Sequence, residues 1–348
     1  MKLSFERLHL PKIHALAISR GITFSSENLF VSVSGDGVSG IGELVGTNAL
    51  GGETCDTGIE QLRRFWEHCP PDLAITEIWR RAREAGVRPR ALAALEVALW
   101  DRFAKLCGQP LWRLFGLPRQ SVPTSITVGL NPPAIVREEV TEMLQRTGCR
   151  YLKIKLGSKE GLEADQASFV AAAAAARPFA AGLRVDANGG WTLADAKRLL
   201  PWLAERGVDY VEHPLPQGAE DQLPELFRNR PLPIFVDESC NLASDVPGLA
   251  DRVDGINLKL MKTGGLTEAL RLVATARAHG LQTMLGCMGE SSIAISAAAC
   301  IGALFDHLDL DSHLNLREDP AVGAPLVDGV VLPTDQPGHG ARLTQAGA

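Results

Sequence analysis

The sequence predicts an α/β protein in which a modified (β/α)8-type, TIM-like barrel follows an N-terminal α+β capping domain. After Pro123, short apolar segments alternate with longer amphipathic segments, as in a parallel sheet. Eight such apolar segments can be distinguished, which favours a closed barrel. With 348 residues the chain is long enough for a barrel of about 250 residues and a smaller companion domain.

The first 118 residues have the features of the α+β capping domain. Polar and apolar residues alternate from Leu29 to Glu43 around Gly35-Asp36-Gly37, and this pattern predicts a β-hairpin. The segment from Arg90 to Lys105 carries apolar residues at helical spacing, and a glycine and a proline follow it. A hairpin followed by helices is typical of an α+β unit.

Residues 119–320 are predicted to form the barrel, and the Gly/Pro-rich residues 321–348 are predicted to pack back on the capping domain. The predicted strands are Ser125–Val128, Tyr151–Leu156, Leu183–Asp186, Tyr210–Glu212, Ile234–Asp237, Gly255–Lys259, Gln282–Leu285 and His307–Asp311. The predicted helices between them include Ala134–Gln145, Ala164–Ala176, Leu193–Arg206, Leu266–His279 and Ser291–Ala303. An open doubly wound sheet is the structural rival, but it ordinarily has a Gly-rich phosphate loop after its first strand. Gly51-Gly52 lacks the strand and helix context of such a loop, so we interpret it as a turn.

Composition restricts the functional class. The formal charge is -6 and no long Lys/Arg cluster is present, so we expect neither nucleic acid nor a membrane surface as partner. No apolar run reaches the length of a membrane span, and the first ten residues lack the apolar core of a signal peptide. The seven cysteines form no CxxC pair, which indicates a reduced, cytoplasmic setting without structural zinc. We expect a small-molecule enzyme that forms a homo-oligomer.

Five successive predicted strands end in an ionisable residue. These residues are Lys155, Asp186, Glu212, Asp237 and Lys259. Because the C-terminal ends of barrel strands converge on one mouth, the three carboxylates can meet within metal-ligand distance. A single carboxylate here would be explained by helix capping, but three in register favour a hard cation, magnesium above all.

Two neighbours of these carboxylates are also candidates. Asn188 offers another oxygen donor two residues after Asp186, and Glu238 is predicted to support the metal ligands from behind.

Lys153 and Lys155 occupy alternate positions on an otherwise apolar strand, so both side chains are expected to point into the barrel. One interpretation is an internal salt bridge with the carboxylates. The other is that Lys155 is a general base, its basicity lowered by Lys153 and the metal. Lys259, four strands further round, would face the opposite side of the substrate. Two bases flanking one carbon are what racemisation or epimerisation requires, and the metal would stabilise the enolate formed beside a carboxylate.

Five motifs occur in order along the barrel. They are KIK at Lys153–Lys155, VDAN at Val185–Asn188, EHP at Glu212–Pro214, VDES at Val236–Ser239 and KLMKTGG at Lys259–Gly265. Together with the ALWD helix around Trp100 and the FGLP turn, this set resembles the muconate lactonising branch of the enolase superfamily over nearly the whole chain. The resemblance implies an α+β cap over a modified barrel, one Mg²⁺ per subunit held by Asp186, Glu212 and Asp237, and an acid/base pair of Lys155 and Lys259. It also implies that Lys262 is only a surface residue of the following loop.

The mandelate racemase branch differs because it has a His base near strand seven. Here that strand runs from Thr283 to Met288 and contains no His. The two-lysine version is therefore favoured.

The last strand carries two carboxylates, Asp309 and Asp311, in the same predicted orientation. Ordinary strand-end polarity would explain one of them. The pair resembles the DxD signature of dipeptide epimerases, in which the carboxylates receive the substrate ammonium group, and GCMGES at Gly286–Ser291 is similar to that group too. A cation between two carboxylates is physically sensible. This resemblance implies a dipeptide substrate.

Specificity in the family comes from loops of the cap, here expected at Ile18–Ser26 and Gly46–Glu53. Arg20 in the first loop either receives an acidic side chain, as in the L-Ala-D/L-Glu epimerases that the ISRG segment resembles, or is a solvated loop residue. Thr127 either contacts the substrate or is an ordinary β-branched barrel residue. Lys153 is also expected among the substrate contacts.

Two rival functions stay open. One is another enzyme of the same branch, such as an o-succinylbenzoate synthase, an N-acylamino acid racemase or a cycloisomerase, whose substrates lack the ammonium group that Asp309 and Asp311 would bind. The other is a non-catalytic, metal-stabilised barrel, for which Lys155→Ala would change nothing except stability.

Overall fold

A computed structural model describes residues 1–47, 52–70 and 73–344 of the chain. Its N-terminal part contains an antiparallel sheet in the order β1-β2-β3, covered by helices. The elements are β1 (Lys2–Ile18), β2 (Gly21–Gly35), β3 (Val38–Val45), α1 (Cys55–Trp66), α2 (Ile75–Glu84), α3 (Pro89–Leu106) and α4 (Leu111–Leu114).

The predicted hairpin is confirmed as β2 and β3. Its turn places Asp36 and Gly37 at φ of 53° and 74°, the left-handed conformation that a two-residue hairpin turn requires. The predicted loop at Ile18–Ser26 is wrong, because β1 and β2 extend into it and pair from Ile18 and Gly21 onwards. The strand β1 was not predicted at all. The other predicted cap loop, Gly46–Glu53, lies partly outside the described residues.

Helix α3 lies unusually close to β3 because two glycines leave room for its backbone. A Cβ atom at Gly40 would lie 2.0 Å from the carbonyl oxygen of Ala98, and one at Gly42 would lie 2.1 Å from that of Ala94. The alternation in SGIGE therefore serves helix packing as well as the hairpin. The apolar face of the sheet, including Leu29, is fully buried against the helix.

The second part contains eight parallel strands in the order β4 to β11, which confirms the predicted barrel. The strands are β4 (Ser125–Val128), β5 (Tyr151–Lys155), β6 (Gly182–Asp186), β7 (Val208–Glu212), β8 (Ile234–Val236), β9 (Gly255–Lys259), β10 (Gln282–Gly286) and β11 (His307–Asp309). The barrel closes where Thr124 bridges Leu308 and its hydroxyl accepts a hydrogen bond of 2.8 Å from the amide of Leu310. Predicted and observed strand ends differ by no more than two residues.

Helices cover the outside of the barrel and bury its apolar strands. They are α5 (Pro133–Thr147), α6 (Leu162–Ala176), α7 (Leu193–Ala204), α8 (Leu223–Phe227), α9 (Leu260–Thr263), α10 (Leu266–Ala278) and α11 (Ser292–Ala299). The strand interiors are almost continuously apolar, as expected for a sheet that is buried on both faces. None of the helices in the described ranges is both long enough and apolar enough to cross a membrane.

The C-terminal segment returns across the barrel to the cap. It forms β12 (Ala321–Val322), β13 (Leu326–Val327), β14 (Val330–Val331) and β15 (Arg342–Leu343). The amide of His339 donates to Asp101 of α3 at 3.0 Å, and its Nε2 lies 2.9 Å from the carbonyl oxygen of Ile41. The division of the chain at residues 118 and 320 stays a proposal.

Two buried carboxylates of the cap connect it to barrel helices. Glu96 of α3 accepts hydrogen bonds of 2.8 and 2.7 Å from the amides of Leu266 and Thr267, at the start of α10. Glu43 of β3 accepts from the amide and hydroxyl of Ser291 at 2.9 and 2.8 Å, at the start of α11. A carboxylate at a helix N-terminus satisfies free amides and interacts favourably with the helix dipole. These contacts hold the cap over the mouth of the barrel.

Candidate active site

The ionisable strand ends do converge on one mouth of the barrel. Lys155, Asp186 and Glu212 are the last residues of β5, β6 and β7, and the register pairs them at the same level. Asp237 follows β8 directly, and Lys259 ends β9. The three carboxylates are at most 2% exposed.

Each of the two lysines at the rim is paired with a carboxylate of the neighbouring strand. Lys155 Nζ lies 2.6 Å from Asp186 Oδ2, and Lys259 Nζ lies 2.7 Å from Asp237 Oδ2. Since β5 and β9 are four strands apart, the two ammonium groups approach the carboxylates from different sides. Both side chains also line the cavity at the mouth.

Lys153 lies deeper in the barrel and is held entirely by carboxylates. Its Nζ is 2.6 Å from Glu212 Oε2, 2.6 Å from Asp309 Oδ2 and 3.5 Å from Asp186 Oδ2. Burial lowers the pKa of Lys153, but these three carboxylates outweigh burial and raise the pKa well above its ordinary value. The structure therefore favours the internal ion-pair interpretation for Lys153.

The carboxylates divide into two kinds by their pKa. Burial raises the pKa of Asp186, but Lys155 and Lys153 more than offset it and hold the value below its usual range. Burial also raises the pKa of Asp237, but Lys259 and Lys262 more than offset it and hold the pKa well below its normal value. Glu212 differs, because burial and the nearby charges of Asp186 and Asp237 raise its pKa to about 7. The three acidic groups are thus close enough to repel one another.

The expectation that Lys262 is a surface residue is wrong. Its side chain is 8% exposed, and its ammonium group lies 2.6 Å from Asp237 Oδ1. It also donates to the carbonyl oxygens of Asp237, Cys240 and Asn257. The physical reason is the single turn of helix α9, which brings a side chain three residues after Lys259 back over the end of β8.

Asn188 and Glu238 both lie beside the carboxylates, but in different ways. The amide of Asn188 donates to Asp186 Oδ1 at 2.8 Å, and its side-chain Oδ1 is buried without a hydrogen-bond partner among the described residues. Glu238 contacts Arg20 and lies 3.2 Å from His213 Nε2. The opposite ring nitrogen of His213 accepts from the amide of Asp237 at 3.3 Å. Glu238 is thus connected to Asp237 through His213, a residue that was not predicted.

The donor set fits a hard divalent cation in its chemistry. Asp186, Glu212 and Asp237 supply only oxygen atoms, and their mutual repulsion is what a bound cation would relieve. The buried Asn188 Oδ1 and Asn257 Oδ1, which accept no hydrogen bond from described residues, lie next to them. Within the ranges that the structure describes, no three acidic, His or Cys side chains form a ready coordination group, because lysine ammonium groups hold the carboxylate oxygens.

A cavity at the barrel mouth brings most of the predicted substrate contacts together. Its lining includes the predicted residues Thr127, Lys153, Lys155, Lys259, Asp309 and Asp311. It also includes residues that were not predicted, among them Lys12, Leu16, Ile126, Met143, Arg146 and Cys287. Arg20 does not line it. The Arg20 guanidinium donates to the carbonyl oxygen of Asn188 at 2.9 Å and pairs with Glu238, so the structure does not bring Arg20 to the cavity.

Asp309 and Asp311 are not equivalent. Asp309 is paired with Lys153 and accepts from the hydroxyl of Ser125 at 2.9 Å. Burial raises the pKa of Asp309, but Lys153 and Lys155 more than offset it and lower the pKa. Asp311, just past the end of β11, accepts from the amide of Thr127 at 2.7 Å. Burial and the charge of Asp309 raise the pKa of Asp311 to about 6. Asp311 is therefore the carboxylate with the greater need of a cation.

This arrangement can perform proton transfer at a carbon held between two amines. Lys155 and Lys259 place two amine groups at one cavity, amines are groups that can transfer protons, and the acidic cluster behind them presents oxygen atoms of the kind that a hard cation binds. The eight-stranded barrel, the hairpin-and-helix cap and this site together define an enolase-type barrel enzyme.

Comparison with known families identifies the class more narrowly. Residues 7–116 match the N-terminal domain of the mandelate racemase / muconate lactonizing enzyme family, and residues 136–347 match the family described as enolase C-terminal domain-like. The chain therefore belongs to the mandelate racemase / muconate lactonizing enzyme family of the enolase superfamily.

Individual relatives are similar over the full length. The chain is 56% identical to a hydrophobic dipeptide epimerase of Roseobacter litoralis, over 99% of this chain and 100% of that protein. Among solved structures, a dipeptide epimerase of Methylococcus capsulatus complexed with Mg and L-Arg-D-Lys has a TM-score of 0.88 at 31% identity, covering 98% of both chains. The dipeptide epimerase of Enterococcus faecalis V583 complexed with Mg and L-Leu-L-Tyr has a TM-score of 0.88 at 29% identity, again covering 98% of both chains.

Proposed function

We propose that this chain is a magnesium-dependent dipeptide epimerase that removes and returns the α-proton of one residue of the substrate. The observation that carries the proposal is the pair of lysines, Lys155 and Lys259, which line one cavity from strands four positions apart. A single base would suffice for a one-way elimination, whereas inversion of a stereocentre requires a proton donor on the opposite face.

Asp186, Glu212 and Asp237 are the proposed metal ligands, with Asn188 close behind them. When bound, Mg²⁺ supplies positive charge that stabilises the substrate carboxylate and the negative charge formed on deprotonation. In the structure, burial lowers the pKa of Lys259 but Asp237 and Glu212 raise it above its normal value, so this lysine is an acid while it remains paired. The negative charge that raises the pKa of Lys259 would be offset by a cation held by Asp237 and Glu212, and Lys259 would then be a better base.

Asp311, assisted by Asp309, is the proposed site for the ammonium group of a dipeptide. Both carboxylates lie in the same cavity as the two lysines, so one substrate can contact both groups. The raised pKa of Asp311 supports this assignment, because it means that the negative charge of Asp311 is disfavoured at this position. A bound ammonium group would stabilise that charge. Substrates of the rival enzymes of this branch lack that ammonium group.

Apolar dipeptides are the proposed substrates. The relative with 56% identity is named a hydrophobic dipeptide epimerase, and Leu16, Ile126 and Met143 line the cavity here. An acidic side chain has no prepared partner in Arg20, whose guanidinium is paired with Glu238. We therefore place the Ala-Glu substrate class second.

The experiment is epimerisation of L,L-dipeptides in D2O with Mg²⁺, followed by mass spectrometry and chiral separation. We expect deuterium at one α-carbon and accumulation of the epimer, loss of both on chelation, and recovery when Mg²⁺ is added. Lys155→Ala and Lys259→Ala should each abolish epimerisation. Exchange in no dipeptide, together with turnover of an N-acyl amino acid, would assign the chain to a rival enzyme of the branch. Full activity in excess EDTA would overturn the metal site.

The cellular setting and assembly are part of the same proposal. The seven cysteines are all free, which suits a reduced, cytoplasmic compartment. A homo-oligomer is our prediction for the assembly, and light scattering on the purified chain tests it.

A further inference from the structure

Lys12, on strand β1 of the cap, extends into the cavity of the candidate active site. The residue is 7% exposed, and its ammonium group has no ion pair or hydrogen bond to any described residue. An added Cβ at Gly289 would lie 3.7 Å from Lys12 Nζ, so the ammonium lies beside the loop that follows β10. An unpaired, buried cation facing a cavity is costly unless the ligand or function requires it.

The ammonium of Lys12 lies within electrostatic range of the proposed binding site for the substrate's own ammonium group. Burial lowers the pKa of Lys12, while the charges of Cys287, Glu290 and Asp311 oppose that effect. Glu290 is itself buried and accepts from the amide of Met288. Asp311 thus provides one negative charge within electrostatic range of Lys12, and both side chains line the same cavity.

The side chain of the first substrate residue must begin close to Asp311 and Lys12. Its α-carbon is about 1.5 Å from the ammonium nitrogen that Asp311 is proposed to bind. Apolar groups of Leu16, Ile126 and Met143 line the same cavity, together with the cation of Arg146. An apolar side chain therefore finds apolar walls, whereas a Lys or Arg side chain would bring a further positive charge next to Lys12.

We propose that Lys12 determines substrate specificity by admitting dipeptides with an apolar first residue and rejecting those that begin with Lys or Arg. This inference rests on the proposed dipeptide epimerase function. The charge of the bound dipeptide differs among relatives, since one was crystallised with L-Arg-D-Lys and another with L-Leu-L-Tyr.

The expected size of the effect follows from Coulomb repulsion. Two unit charges about 6 Å apart at an effective dielectric constant of about 20 repel enough to lower binding about 100-fold. A long cationic side chain can turn partly towards water, so we expect a preference of at least about tenfold.

The test compares kcat/KM for L-Met-L-Leu and L-Lys-L-Leu, whose first residues have similar length but different charge. The ratio should favour Met in the wild type, fall at least about tenfold in Lys12→Met, and remain high in Lys12→Arg. Lys2→Met is the matched control, because Lys2 is an exposed lysine of the same strand, and its ratio should equal that of the wild type.

A second measurement needs no variant. The wild type should process the dipeptide of Nε-acetyl-lysine, which has lost the charge, faster than L-Lys-L-Leu. An equal rate for L-Met-L-Leu and L-Lys-L-Leu in the wild type, or an unchanged ratio in Lys12→Met, would overturn the role of Lys12 while epimerisation itself persists. Absence of epimerisation of every dipeptide in the wild type would instead overturn the proposed function.

Discussion

Replacing Asp311 by Asn tests the ammonium site with little change in the shape of the side chain. The side chain keeps its shape, and the Asn carbonyl oxygen can still accept the hydrogen bond that the amide of Thr127 donates at 2.7 Å. The negative charge is lost, and an amide NH2 replaces the oxygen that accepts a weak hydrogen bond from Cys287 Sγ at 3.6 Å. Asp309 is a poorer choice, because it is paired at 2.6 Å with the buried ammonium of Lys153 and its loss would also destabilise the barrel.

The magnitude follows from the kind of bond that is lost. A hydrogen bond between two charged groups contributes about 1.5–3 kcal/mol, so kcat/KM for a free dipeptide should fall between about tenfold and 150-fold. The neutral Asn can still accept one hydrogen bond from the substrate ammonium, which favours the lower part of that range.

The assay compares two substrates that differ only in the amine. One is L-Ala-L-Leu, and the other is N-propionyl-L-leucine, in which hydrogen replaces the ammonium group. Exchange of the leucine α-proton in D2O is measured for both. Asp311→Asn should slow exchange of the dipeptide and leave that of the propionyl analogue within about twofold of the wild type. An equal loss with both substrates would mean that Asp311 acts on the structure of the site and does not bind the amine.

Three further predictions concern groups that hold the site together. Lys262→Met removes a buried cation from the acidic cluster and should lower the free energy of unfolding by about 3 kcal/mol, measured by urea unfolding; an unchanged midpoint would mean that the ion pair contributes nothing net. Gly265→Ala should cost several kcal/mol, because φ is +117° and the new Cβ would lie 2.2 Å from Glu96 Oε2. Gly280→Ala is its control, since φ is +74° there but nothing lies within 4 Å, and only the backbone cost of about 1–2 kcal/mol is expected. Burial raises the pKa of Glu43 from 4.5 to about 7, so the stability that its neutral form provides is present below about pH 4.5 and lost as the pH rises towards 7. Wild-type stability should fall by about 3 kcal/mol more than that of Glu43→Gln between about pH 4 and about pH 8, and parallel curves would refute this.

The barrel and its ionisable strand ends could be predicted because both depend on local pattern. A strand buried on two faces is a short apolar run, and the first polar residue after it marks the strand end. Lys155, Asp186 and Glu212 therefore appear in the sequence at the positions where parallel strands must converge. The same logic located Asp237 and Lys259 to within one residue of an observed strand end.

The cap was less predictable because its first strand has no clean period. Strand β1 mixes charged and apolar residues, contains Pro11, and has an irregular register between Pro11 and Leu16. A strand whose pairing shifts in the middle changes which residues face inward, so alternation fails as a signal. Lys12 lies within that irregularity, and its place in the cavity could not follow from sequence spacing.

Lys262 and Glu238 show a second limit of prediction from sequence, the choice of ion-pair partner. Both are charged residues next to a predicted site: Lys262 was predicted to be a surface residue, and the contacts of Glu238 with Arg20 and His213 were not predicted. Their orientations depend on contacts formed in the folded chain: Lys262 donates to Asp237 and to three carbonyl oxygens, and Glu238 pairs with Arg20 from the cap. Arg20 pairs with Glu238 and does not line the cavity, whereas Lys12 of β1 does and has no ion pair with a described residue, so the proposed charge selection is assigned to Lys12. The proposed specificity thus depends on ion pairs between parts of the chain that are far apart in sequence, such as Arg20 and Glu238, and sequence spacing does not predict such pairs.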